Sequence, residues 1–166
     1  MEQAAATIAE KGHPECETPP VRRILVGYDD SDGARRALRR TIDEAHAERS
    51  RITVLAVAEM PLDPQGPRNF GTLGDISARE GQPLQAPPDV VSHLETARDE
   101  LAAAGLDAEL RWAAGEPGNA IVETAQAVKA DVIVLGEHHH GFLSSLFGAD
   151  VAEEVRRAAG CDVIVS

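Results

Sequence analysis

The sequence predicts an open, doubly wound α/β domain, a parallel sheet covered by helices on both faces. Three observations carry this. Short continuous apolar runs recur along the chain: Ile24-Leu25-Val26, Ile52 to Val57, Val132 to Leu135 and Val163-Ile164-Val165. None alternates with polar residues, which is the pattern of strands buried on both faces. Segments with helical apolar spacing separate the runs, and strand–helix alternation of this kind builds a parallel sheet.

The elements follow in order. Residues 1–20 hold Pro14, Pro19 and Pro20 and little apolar periodicity, so a disordered tail is expected there and the domain spans 21–166. After the first strand, Ala34, Ala37, Leu38, Thr41, Ile42 and Ala45 mark one helix face. The second strand leads into a stretch from Met60 to Pro88 with six prolines and four glycines. That composition rules out a regular element and predicts a flexible insertion at about 60–88. Val90, Leu94, Ala97, Leu101 and Ala104 form the second helical stripe, which Gly105 stops. Ala108 to Trp112 alternates, Leu110 facing one way and Glu109 and Arg111 the other, as an edge strand would. Ile121, Thr124, Ala125 and Val128 form a third stripe. Val151, Val155 and Ala158 form a fourth, ended by Gly160.

Composition narrows the function. A chain of 166 residues fits one domain, and 43% apolar with 27% charged residues is a globular balance. The formal charge of −12 argues against nucleic acid and anionic lipid as partners, since both need clustered Lys and Arg. The apolar runs are too short to span a membrane. Cys16 and Cys161 form neither a disulfide framework nor a metal pair. The N-terminus lacks the basic start and apolar core of a signal peptide, so a reduced cytoplasmic setting is expected.

In open α/β sheets, ligands bind beyond the carboxyl ends of the strands, where the winding reverses. The first strand ends at Gly27-Tyr28-Asp29-Asp30-Ser31-Asp32-Gly33 and the fourth at Gly136-Glu137-His138-His139-His140-Gly141. If these strands are central neighbours, their tips build one crevice. There is no GxxxxGK[ST] phosphate loop, no GxGxxG after the first strand and no GxSxG nucleophile elbow. The acidic pair Asp29-Asp30 lacks the further Asp and Lys of a phospho-receiver. No nucleophile–base pair is visible, so an enzyme is not expected. Ser31 and Asp32 fit helix capping, which leaves Asp29 as the acidic candidate. His138, His139 and His140 raise metal binding as an alternative, although three adjacent loop residues do not converge on one ion.

Three segments carry a resemblance. ILVGYDDSDGARRALRRTIDEAHA, AAGEPGNAIVETAQAVKADVIVLG and GFLSSLFGADVAEEVRRAAGCDVIVS resemble, in this order, the opening, middle and closing parts of the universal stress protein family. The resemblance implies a five-stranded parallel sheet of order 3-2-1-4-5, strands counted along the chain. It also implies a homodimer formed through Asp162–Val165. In the family's nucleotide-binding branch the loop after the fourth strand reads Gly, two residues, Gly, nine residues, Gly-Ser or Gly-Thr. Carried over by position, the candidate nucleotide-binding residues are Tyr28, Asp29, Val57, Gly136, His138, His139, Gly148, Ala149 and Asp150.

The loop departs from that pattern. His139 replaces the second glycine, the spacer from His140 to Phe147 is one residue short, and Ala149 replaces the hydroxyl residue. Asp30 stands where the family has glycine. No Lys or Arg occurs from Gly136 to Asp150, while Glu137 and Asp150 add negative charge, so a triphosphate would need Mg²⁺ or protonated histidines. The expectation is a dimeric stress-response or signalling module with weak or absent nucleotide binding. The alternative is an ATP-binding, at most slowly hydrolysing protein with ATP and Mg²⁺ as cofactors.

Overall fold

β1 (Arg22–Gly27) forms where Ile24, Leu25 and Val26 run without a polar break, and all three are buried. α1 (Asp32–Ala47) begins at Ser31, whose hydroxyl accepts a hydrogen bond from the Ala34 amide at 3.1 Å. That N-cap satisfies one of the free donors of the first turn. β2 (Ser50–Ala58) follows. The computed structural model describes residues 21–58, 70–72, 78–79, 82–83, 86–137 and 150–166.

Within the insertion lie β3 (Phe70–Thr72), β4 (Ala78–Arg79) and β5 (Gln82–Pro83). α2 (Pro88–Ala103) starts with proline in its first turn, where no amide donor is needed. It stops at Gly105, which adopts φ +74° and whose amide reaches the Ala102 carbonyl at 2.9 Å. β6 (Ala108–Ala114), α3 (Pro117–Val128), β7 (Val132–Leu135), α4 (Asp150–Ala158) and β8 (Asp162–Val165) complete the chain.

The sheet order is β3-β6-β2-β1-β7-β8. Its five parallel strands, β6-β2-β1-β7-β8, have the expected 3-2-1-4-5 order. Ile24 pairs with Ile52 on one side and Val132 on the other, so β1 and β7 are central neighbours. The order reverses between them, the switch point that leaves room beyond two adjacent strand tips. Two expectations change. β6 is the edge of the parallel sheet, but β3 pairs antiparallel along its outer side, Gly71 opposite Trp112. The insertion expected to hold no regular element thus supplies a strand. Three residues laid on an exposed edge need no apolar period of their own.

Alternate residues of each strand feed two cores. Ile24, Val26, Ile52, Val54 and Trp112 pack with Leu38 of α1 and Val90, Leu94 and Leu101 of α2. Leu25, Leu55, Ile133 and Leu135 pack with Ile121 and Ala125 of α3 and Val155 of α4. Burial on both faces explains the unbroken apolar runs. At the lower end of the sheet, Arg23 holds Asp131 with two guanidinium bonds of 3.2 and 3.3 Å and a backbone amide bond of 2.8 Å. The hydrogen bonds from Arg23 hold the Asp131 carboxyl below its ordinary pKa.

Candidate functional site

The site grows from the corner after β1. The Tyr28 amide donates to the Leu55 carbonyl at 2.8 Å, carrying the sheet ladder one residue further. The chain then turns through Asp30 at φ +59°. Asp tolerates this left-handed conformation better than most residues, so Asp30 suits the turn. The Asp29 carboxylate accepts the Ser31 hydroxyl at 2.6 Å and the Ser31 amide at 3.2 Å. The turn is therefore fixed, with Asp29 at the strand tip and Ser31 capping α1.

Asp30 points the other way. It accepts the Tyr28 hydroxyl at 3.0 Å and two Arg35 guanidinium bonds at 3.0 and 3.2 Å. Burial alone would raise the Asp30 carboxyl, but the hydrogen bonds from Arg35 and Tyr28 outweigh it and hold the pKa below normal. Burial, with the hydrogen bond to Asp30 and its negative charge, pushes the Tyr28 phenol far above its ordinary value.

The tip of β7 crosses the start of α1 at contact distance. A Cβ on Gly136 would overlap the Gly33 backbone, and one on Gly33 would come within 2.6 Å of the Glu137 carbonyl oxygen. Only paired glycines let these two segments pass. The Arg36 guanidinium donates to the Glu137 carbonyl at 3.0 Å, and the Glu137 amide donates to the Ser166 carbonyl at 2.6 Å. The β1 and β7 tips and the end of β8 are thus locked together.

Beside this crossing, on the α3–α4 side, a cavity of about 240 Å³ opens. Leu55, Val57, Ile121, Leu135, Val151 and Val165 give it apolar walls, while Asp29, Glu137 and Arg156 place charge around it. Four of the sequence candidates meet there: Tyr28, Asp29, Val57 and Gly136. Tyr28 belongs to the wall, but its side chain is buried in the α1–α2 core with its hydroxyl on Asp30. Asp150 opens α4. His138, His139, Gly148 and Ala149 lie outside the described residues, as does His140. Among the described residues no group of three or more His, Cys, Asp or Glu could hold a metal ion.

Arg156 and Ile121 were not among the sequence candidates. Val151, Val155 and Ala158 read as a core stripe, and Arg156 sits one residue off it. The signal was available in the four-residue spacing of Ala152 and Arg156, which puts both on one helix face.

The described lining combines apolar walls with the carboxylates of Asp29 and Glu137 and a single guanidinium, that of Arg156. It does not supply the cationic set that a triphosphate needs.

The comparisons with known proteins agree with this fold. The model of the universal stress protein family matches residues 20–166. The chain belongs to the universal stress protein family. A universal stress protein of Thermus aquaticus, described by its position in the QAH/OAS sulfhydrylase 3′ region, is 30% identical over 145 residues. That match covers 87% of this chain and 97% of the relative. Among solved structures, a universal stress protein in complex with cAMP is 26% identical with a TM-score of 0.61, covering 87% of this chain and 96% of that one. The universal stress protein of Archaeoglobus fulgidus in complex with dAMP is 24% identical with a TM-score of 0.54, covering 88% and 97%. No helix among the described residues of this universal stress protein is long and apolar enough to cross a membrane.

Proposed function

We propose that this universal stress protein is a stress-response module whose strand-tip cavity takes an adenine nucleotide weakly, with a monophosphate preferred to a triphosphate. The observation that carries the reading is the cavity itself. It lies at the switch point between β1 and β7, has apolar walls on the α3–α4 side, and has Asp29 at its edge. Two structural neighbours hold cAMP and dAMP, both adenine compounds with one phosphate. Glu137 on the cavity wall disfavours further phosphates, and the sequence holds no Lys or Arg between Gly136 and Val155.

A second reading, a module that has lost nucleotide binding and acts through contacts alone, draws on His139 and Ala149 in place of the family's glycine and hydroxyl residue. Both readings include a homodimer through β8. That strand ends the sheet and carries Val163, Ile164 and Val165 only half-buried, and no strand among the described residues pairs with its outer edge, which suits pairing with a second copy. Calorimetric titration of AMP, cAMP and Mg-ATP into the purified protein separates the readings. Saturable AMP or cAMP binding stronger than that of Mg-ATP supports the first, and no heat with any of them at millimolar concentration leaves the second. Sedimentation velocity tests the dimer, which a monomer at all concentrations would remove.

A further inference from the structure

We infer that Arg156 is the residue that recognises the anionic group of the cavity's ligand and so sets the preference for a nucleotide over its nucleoside. The inference rests on the proposed adenine-nucleotide reading and deepens it. Arg156 is the one cationic side chain among the described lining residues. Neighbouring arginines are already engaged. Arg157 pairs with Glu153 at 3.1 Å, Arg35 with Asp30, and Arg36 with the Glu137 carbonyl. Arg156 is exposed and has no ion pair or hydrogen bond among the described residues.

Its position suits the role. Arg156 follows Ala152 by one helical turn, and both line the cavity. Helical side chains lean toward the N-terminus, which favours a course for the Arg156 stem past the small Ala152 side chain, and both residues border the cavity. The guanidinium presents a planar fork that matches two phosphate oxygens, which a lone ammonium cannot do. A second or third phosphate finds no further cation on the described walls and meets Glu137 instead. One guanidinium therefore matches one phosphate.

The test is calorimetric titration of adenosine and of AMP into wild-type protein, Arg156→Gln and Arg156→Lys, with a melting curve for each variant. A charge-assisted hydrogen bond at a solvent-exposed site gives wild-type AMP an advantage of about tenfold over adenosine. Arg156→Gln should bring that ratio to about one while adenosine affinity stays within about twofold. Arg156→Lys should restore part of it, and added salt should compress the wild-type ratio alone. An AMP-to-adenosine ratio unchanged in Arg156→Gln overturns the inference and leaves the nucleotide reading standing. Equal wild-type affinity for the two ligands does the same. Wild-type protein that binds neither overturns both.

Discussion

Gly136→Ala probes the frame on which the site depends. A Cβ at position 136 would sit 2.5 Å from the Ala34 amide nitrogen and 2.6 Å from the Gly33 carbonyl oxygen. Non-bonded heavy atoms rest at about 3.5 Å, so the β7 tip and the α1 start would have to part by roughly 1 Å. Both neighbours are backbone, in a strand and a capped helix, and neither can swing aside like a side chain. Overpacking costs about 1–3 kcal/mol, and rigid neighbours put this case at the upper end. Loss of glycine's unfolded-state entropy offsets about 0.4–1 kcal/mol, for a net loss of about 2 kcal/mol. In a chain of this size that lowers the melting temperature by about 4–8 °C. Urea unfolding followed by the fluorescence of Trp112, the single tryptophan, reads it directly. Gly160→Ala is the control, because nothing lies within 4 Å of an added Cβ there. A Gly136→Ala protein as stable as the control would refute the close crossing of β7 and α1.

Other consequences follow from the same contacts. Tyr28 is the only tyrosine, and its raised pKa means the native state keeps its proton. Its stabilising effect is complete below the ordinary value of about 10 and lost as pH rises beyond it. Tyrosinate absorbance should therefore appear only together with loss of native Trp112 fluorescence, and ionisation near pH ~10 in a still-folded protein would contradict the burial. Asp30, held below its usual value, contributes stability above the ordinary carboxylate pKa and loses it as pH falls toward the depressed folded value. Asp30→Asn should accordingly lower stability at neutral pH and flatten its decline in acid, as measured by urea unfolding across that range. The Thr124 hydroxyl is buried with no hydrogen-bond partner among the described residues. Thr124→Val should raise stability by about 1 kcal/mol, and a loss of that size would show an unseen partner.

The fold was legible where burial left a mark on the sequence. β1, β2 and β7 are covered on both faces, and their unbroken apolar runs follow from that. α1 announced itself through its Ala37-Leu38-Thr41 face and through Ser31, which caps it as expected. β3 was not legible, because a three-residue strand on an outer edge carries no period. The corner at Asp29 was legible as a strand tip, and its cavity lies between the central strands. Gly136 lines the cavity, and its lack of a side chain serves a contact other than the expected one. Its expected role was close approach to a phosphate, whereas the structure shows close approach to α1, which depends on a neighbour distant in sequence. Tyr28 shares a face with Val26 two residues before it, so strand alternation already places its ring in the α1–α2 core. Arg156 was not legible because it lies one residue off the Val151-Val155-Ala158 stripe, where an exposed arginine has the pattern of a solvated helix flank.

The measurement that bears most directly on the nucleotide site is an amide-shift titration of ¹⁵N-labelled protein with AMP. Saturating shifts at Gly27, Asp29, Val57, Gly136, Val151 and Ala152, with the α1–α2 core unmoved, are the predicted result. Shifts confined to another surface, or none at millimolar AMP, would contradict it.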